Sequence, residues 1–221
     1  LIEKVVSLSL EGGINWFDTA EVYGNGASEL ALSKALQAAG KNPGDILIAT
    51  KWWPMFRFAS NIAKTIDTRI RALDPYPIDL YQVHQPWGFS NERAEAAAMA
   101  SLVERKLIRS VGVSNFNAKQ MQHASETLAK RGLPLASNQV RYSLLDRKIE
   151  SNGVLELAKK LNITIIAYSP LAQGILTGKF HEHPELLKNI DMRKYSPAFK
   201  PEGLRKSLPL VNLVRQLAEK Y

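Results

Sequence analysis

Four residues in the first 84 positions could together move a proton: Asp18 after the run INWF, Tyr23 in the turn that follows, Lys51 after ILIAT and His84 at the end of DLYQV. A free phenol has a pKa near ~10 and is a poor proton donor at neutral pH. A lysine ammonium ~4 Å away, at an effective dielectric of ~20, interacts with a phenolate by roughly 4 kcal/mol and brings the phenol toward working pH. Asp18 is expected to keep Lys51 charged by pairing with it, and His84 to orient a substrate oxygen by hydrogen bonding. The chemistry such a set performs is donation of a proton to an oxygen that is becoming an alkoxide. Taken singly, each residue has an ordinary structural role, as a loop aromatic, a solvated charge or a satisfied histidine. Their combination is what points to catalysis.

Further polar residues end later apolar runs: Ser114 and Asn115 after IRSVGV, Asn138 and Gln139 within ASNQV, and Tyr168 after TIIA. Trp52, Trp53, Met55, Phe56 and Phe58 follow Lys51 directly, and Trp87 follows the run that ends in His84. These aromatics predict an apolar substrate pocket, with Trp52, Trp53 and Trp87 as its walls, although large aromatics beside strand ends also pack under helices. Arg57, in the same segment, is a weak pointer to an anionic carbonyl substrate. Two phosphate-loop look-alikes fail. Gly24-Asn25-Gly26 begins a G-x-G-x-x-G, but its third position is Glu29, whose charge repels a pyrophosphate. GILTGKF is one residue short of a P-loop and has Phe180 where a magnesium-binding hydroxyl is needed.

These residues must be positioned by repeated strand and helix units. Short runs rich in Ile, Val and Tyr alternate with longer stretches whose apolar residues recur at three and four. Strands are predicted at 14–17, 46–50, 79–84, 108–114, 136–140 and 164–168, and helices at 2–10, 28–39, 59–73, 91–106, 118–130, 153–161 and 203–220. Gly40, Gly132 and Asn162 fall where helices end in left-handed geometry. Runs such as ILIAT and TIIAY are apolar at nearly every position, as in parallel strands covered on both faces. Two architectures satisfy this pattern: an open doubly wound sheet or most of a (β/α)8 barrel, in which all the strand ends named above would lie on one face. The stretch 181–201, with three prolines, reads as a long loop that is either functional or disordered. No linker interrupts the chain, so one domain is expected.

The composition is that of an ordinary globular protein: 221 residues, 45% hydrophobic and 23% charged, which excludes disordered and fibrous classes. No apolar run approaches the ~18 residues that cross a bilayer, and the opening LIEKVVSLSLEGG has no signal-type cleavage pattern, so the chain reads as soluble. Zero cysteines exclude disulfides, a thiolate nucleophile and Cys-based zinc sites, and suit a reducing compartment such as the cytoplasm. The net charge of +8 is spread as Lys and Arg pairs on helix faces, with no nucleic-acid recognition motif, so a small molecule is the expected partner rather than nucleic acid or a membrane.

The segments GGINWFDTAEVYG, ATKW, DLYQVHQP, VGVSNF, SNQVRYSLLDR and AYSPLAQGILTGK, in that order from Gly12 to Lys179, resemble the aldo-keto reductase family. The resemblance implies a (β/α)8 TIM barrel that reduces aldehydes and ketones with NADPH or NADH, preferentially NADP(H). It implies that Asp18, Tyr23, Lys51 and His84 are the catalytic tetrad, with Tyr23 as general acid. It implies further that Ser114, Asn115 and Gln139 hold the nicotinamide carboxamide, that Tyr168 stacks under the ring, and that Ser169, Leu171, Gln173, Gly174 and Lys179 wrap the pyrophosphate. Set against the family pattern, the chain runs from the first helix to the seventh, giving strands 2 to 7 with flanking helices. Strands 1 and 8 and the segment that reads the adenosine 2'-phosphate are absent, so the domain is expected to be truncated at both ends and an organellar leader stays open. Two rivals remain: a cofactor-binding regulatory module resembling potassium channel beta subunits, which tend to carry Asn at the position of His84, and a Schiff-base enzyme built on Lys51, disfavoured because Asp18 should hold that amine protonated.

Overall fold

A computed structural model of the chain describes residues 1–221, whose backbone gathers into two compact units, one formed by 1–140 and 152–166 and the other by 141–151 and 167–221. The first unit alternates helices and strands: α1 (Ile2–Glu11), β1 (Trp16–Asp18), α2 (Ala27–Ala38), β2 (Leu47–Trp52), α3 (Ser60–Leu73), β3 (Leu80–Val83), α4 (Glu92–Glu104), β4 (Ser110–Ser114), α5 (Ala118–Ala129), β5 (Leu135–Arg141), α6 (Val154–Leu161) and β6 (Thr164–Tyr168), the last two residues of β6 belonging to the second unit. The strands lie side by side in chain order, β1 to β6. That order decides between the two architectures, because a doubly wound sheet reverses its strand order at a switch point and a (β/α)8 barrel does not. The fold is α/β, with six consecutive strands of the barrel pattern.

The register places the chemistry. Parallel pairing sets Asp18 beside Ala49, Lys51 beside Gln82, and Ser114 beside Gln139. Side chains alternate across a strand, so Lys51 and Gln82 share one face, while Thr50 and Trp52 face the helices, where Thr50 bonds Glu29 of α2 and Trp52 bonds Asn61 of α3. Between β3 and β5 the strand β4 must carry Gly112, since a Cβ there would lie 2.9 Å from Gln82 Cγ. Helices start and stop where the sequence says they should. Asn91 accepts the Ala94 amide at 2.9 Å, Asn117 and Gln120 form a reciprocal capping box, and Asn162 ends α6 at φ +55°.

In the second unit, α7 (Lys179–Glu182) and α8 (Pro201–Lys220) flank the stretch expected to be a long loop. Of the two alternatives, disorder is the one the structure overturns. Residues 184–189, 192–195 and 197–199 are three short 3₁₀ turns, anchored because Ile190 and Phe199 are buried in an apolar cluster with Ala172, Ile175, Leu176 and Phe180. The Phe180 and Phe199 rings meet edge to face at 5.4 Å. No helix of the chain is long and apolar enough to cross a membrane.

Candidate active site

Lys51 is completely buried, and its ammonium donates to an Asp18 carboxylate oxygen and, at 2.8 Å, to the Thr19 carbonyl. It lies over the Tyr23 ring, 5.3 Å from the centroid. Burial pushes the Lys51 pKa down, opposed by the Asp18 charge and hydrogen bond. The Tyr23 ring also meets the His84 ring edge to face at 5.7 Å. Burial, reinforced by the Lys51 charge, lowers the His84 pKa to about 4, so its imidazole is neutral throughout the physiological range. The tetrad residues named from the sequence are therefore brought together: a half-exposed phenol, a buried ammonium, its carboxylate and an uncharged imidazole.

Asp18 is held by more than Lys51. Its other oxygen accepts from the side-chain amides of Gln82 at 3.3 Å and Gln139 at 3.2 Å. Gln82 is fully buried and also accepts from Ser137 at 3.4 Å. A reading confined to strand ends misses Gln82, although its position two residues before His84 puts both on one face of β3. Ser114 Oγ and the Asn115 backbone amide both donate to the Gln139 carbonyl at 2.9 Å, and Asn115, at φ +61°, turns its side-chain amide onto Ser114 Oγ at 3.0 Å. Ser114, Asn115 and Gln139 thus bring two amides and a hydroxyl to the ends of β4 and β5, the mixed donor and acceptor set that a carboxamide requires.

Two aromatic segments border this group. Trp53 meets His84 edge to face at 5.1 Å and Trp87 at 6.1 Å, while Phe89 lies 6.1 Å from Phe56 and 5.3 Å from Phe58. Trp52 is not part of this wall. It is fully buried on the helix-facing side, its indole N–H bonded to Asn61 at 3.0 Å, because it follows Lys51 by one residue and so points to the opposite face. Arg57 is paired through one Nη with Glu21, which offsets its charge toward an anionic substrate.

The two segments are fastened at Gly88, where the Phe89 amide donates to the Arg57 carbonyl at 2.9 Å. A Cβ on Gly88 would stand 2.6 Å from Glu95 Oε1, which is buried without a hydrogen-bond partner. Burial, and secondarily the Glu92 charge, raise the Glu95 pKa to about 8. Between the ordinary carboxylate pKa and 8 the folded chain holds one proton more than the unfolded chain, so Glu95 makes stability fall as pH rises through that window, by up to ~1.4 kcal/mol per pH unit. Glu95→Gln is expected to flatten this slope and to raise the melting temperature at pH 8 but not at pH 5, as read by thermal denaturation across the range.

The second unit carries its own candidate segment. Ser169, Ala172, Gln173 and Gly174 have φ of +52°, +49°, +57° and +101°. A Cβ on Gly174 would meet Lys179 Cε at 3.2 Å and its ammonium at 3.6 Å. A bare backbone and a cation are therefore placed together, the two features that close approach of a phosphate needs. Leu171 is exposed, and its carbonyl accepts the Gly174 amide at 3.0 Å. Tyr168 is half-buried, which pushes its phenol pKa up.

Comparison with known proteins agrees with this geometry. A glycerol dehydrogenase from Gluconobacter oxydans superposes with a TM-score of 0.86 at 32% identity, over 99% of this chain and 68% of that one. The aldo-keto reductase YhdN of Bacillus subtilis (strain 168) is 33% identical over 224 residues, 98% of this chain and 65% of that protein. The chloroplastic pyridoxal reductase of Arabidopsis thaliana is 31% identical over 215 residues, covering 90% of this chain and 59% of that protein. The chain thus spans less than two thirds of the length of these two relatives. The sequence profile of the aldo/keto reductase family matches residues 2–221, and with the strand order and the relatives at 30% identity or more it places this chain in that family of oxidoreductases.

Proposed function

We propose that the protein reduces aldehydes or ketones to alcohols, with Tyr23 as the proton donor and NAD(P)H, preferentially NADP(H), as the reductant. The observation that carries this reading is the stacking of a buried, carboxylate-paired Lys51 ammonium over Tyr23, with His84 at the edge of the same ring. When bound, the coenzyme supplies the hydride. Tyr23 delivers the proton to the carbonyl oxygen as negative charge develops there, and the Lys51 ammonium favours the phenolate left behind. A neutral His84 offers that oxygen one ring N–H and does not compete for the proton. The mixed amide set of Ser114, Asn115 and Gln139 fits a carboxamide, Tyr168 offers a ring to stack, and Ser169, Leu171, Gln173, Gly174 and Lys179 suit a pyrophosphate. Lys51 donates to two oxygens at once, which argues against a Schiff-base role.

The aromatic wall and the neutralised Arg57 favour an uncharged aromatic aldehyde. The test is aldehyde-dependent oxidation of NADPH by the protein. Trp87→Ala, which strips one wall without touching the tetrad, is expected to raise KM for benzaldehydes about tenfold, the effect of losing roughly 1.4 kcal/mol of apolar contact, and to leave short aliphatic aldehydes nearly unaffected. Aldehyde-independent behaviour with retained coenzyme binding would instead favour a regulatory module.

A further inference from the structure

The buried face of α3 is formed by Ile62, Ile66, Arg69 and Leu73, so an arginine occupies an apolar stripe at helical spacing. The buried face of α2 likewise contains Glu29 among Leu32, Ser33, Ala35 and Leu36. Buried charges are retained only when paired, and these form one ionic cluster: Arg69 Nε lies 2.9 Å from a Glu29 oxygen, an ion pair in which neither atom makes a hydrogen bond, and Arg69 Nη1 donates to a Glu21 oxygen at 3.3 Å. Thr50 donates to the second Glu29 oxygen at 2.6 Å, and Arg57 pairs with the second Glu21 oxygen.

Glu21 and Glu29 flank the turn that bears Tyr23. Within that turn Gly24, Asn25 and Gly26 have φ of +59°, +52° and +89°, a geometry that Gly and Asn each tolerate singly but that three successive residues hold only with outside support. Gly26, the last residue of the turn, leaves room for the same guanidinium, since a Cβ there would stand 3.2 Å from Arg69 Nη2. One planar side chain thus lies against the end of the turn and reaches the carboxylates on both sides of it. A guanidinium can do this because its donors are fixed in a fork, whereas a lysine ammonium at the end of its stem is a single point.

We propose that Arg69 is a positioning residue for the general acid: it clamps the Glu21–Glu29 turn and so holds the Tyr23 hydroxyl at the reacting oxygen. Arg69 acts through Tyr23 and not on substrate or coenzyme, and the inference rests on the reading of Tyr23 as proton donor. It predicts that loosening the clamp lowers kcat and leaves coenzyme affinity and aldehyde KM nearly unchanged.

The experiment uses Arg69→Lys and the charge-balanced double variant Arg69→Met/Glu29→Gln, which removes one cation and one anion and leaves the Glu21–Arg57 pair intact. Both are made in the wild-type and Tyr23→Phe backgrounds, and NADPH oxidation with a benzaldehyde is followed under single-turnover conditions at micromolar enzyme. With Tyr23 present, both are expected to lose at least tenfold in kcat, with the NADPH Kd and aldehyde KM within about twofold, and their alkaline pH limb is expected to move to higher pH as the phenol drifts from Lys51. In the Tyr23→Phe background the same changes should alter the residual rate less than twofold. Should Arg69→Lys fail to fold, the charge-balanced variant decides alone. Full kcat in a folded variant, or an equal loss in both backgrounds, overturns the clamp. A Tyr23→Phe enzyme as fast as the wild type overturns the proton-donor reading itself, a distinct result.

Discussion

Tyr23→Phe is expected to lower kcat about a thousandfold while NADPH still binds within about threefold of its wild-type affinity. The expectation follows from what the substitution spares. A phenylalanine keeps the ring that packs edge to face on His84 and lies under the Lys51 ammonium, so the fold and the local electrostatics persist. What goes is the hydroxyl, the proton donor proposed above, and a positioned general acid typically contributes 10²–10⁴ in rate. Fluorescence titration with NADPH and steady-state assay of the same preparation separate the two effects. A variant that loses coenzyme binding in proportion to rate would assign Tyr23 to binding instead.

Lys51→Met is expected to cost roughly 10²–10³ in kcat and to move the alkaline limb of the rate profile to higher pH. The sign follows from charge. The ammonium favours the phenolate, so removing it makes Tyr23 a weaker acid that keeps its proton to higher pH. The protein should remain folded, because Met buries well in place of the stem and Asp18 still accepts from Gln82 and Gln139. His84, with a pKa near 4, contributes no limb between pH 5 and 9 in the wild type, and because loss of the Lys51 charge raises that pKa in the variant, the comparison rests on the alkaline limb alone. Stopped-flow rates across that range, for wild type and variant, check both the size and the direction of the change.

The strand and helix pattern was legible because runs such as ILIAT are apolar at nearly every position, and β2 is buried from Ile48 to Trp52. TIIAY reads the same way, but β6 is exposed or only partly buried along its length, so its apolar run marks a strand without marking a covered one. Choosing between an open sheet and a barrel needed the spatial strand order, which periodicity does not carry. At the site, the meeting of Asp18, Tyr23, Lys51 and His84 was legible because polar residues collect at and just after the strand ends. Trp52 follows from strand parity: once Lys51 points to the site, its neighbour must point to α3. In the sequence Glu29 stands out only as the residue that breaks a glycine motif, and Arg69 belongs to no motif. Both show in the sequence as charges inside a helix's buried stripe, a signal that becomes meaningful when their partners on different helices are known. The 181–201 stretch gave no periodic signal because its order comes from two anchors, Ile190 and Phe199, and not from a repeating face.

The most direct test of the central claim is the fate of the transferred hydrogen. The protein is incubated with benzaldehyde and NADPH carrying deuterium at both positions of the nicotinamide C4, and the products are analysed by mass spectrometry. The expected result is benzyl alcohol labelled once, at the carbinol carbon, in amount equal to the coenzyme oxidised. Unlabelled alcohol, or bound coenzyme with no alcohol formed, would contradict the account.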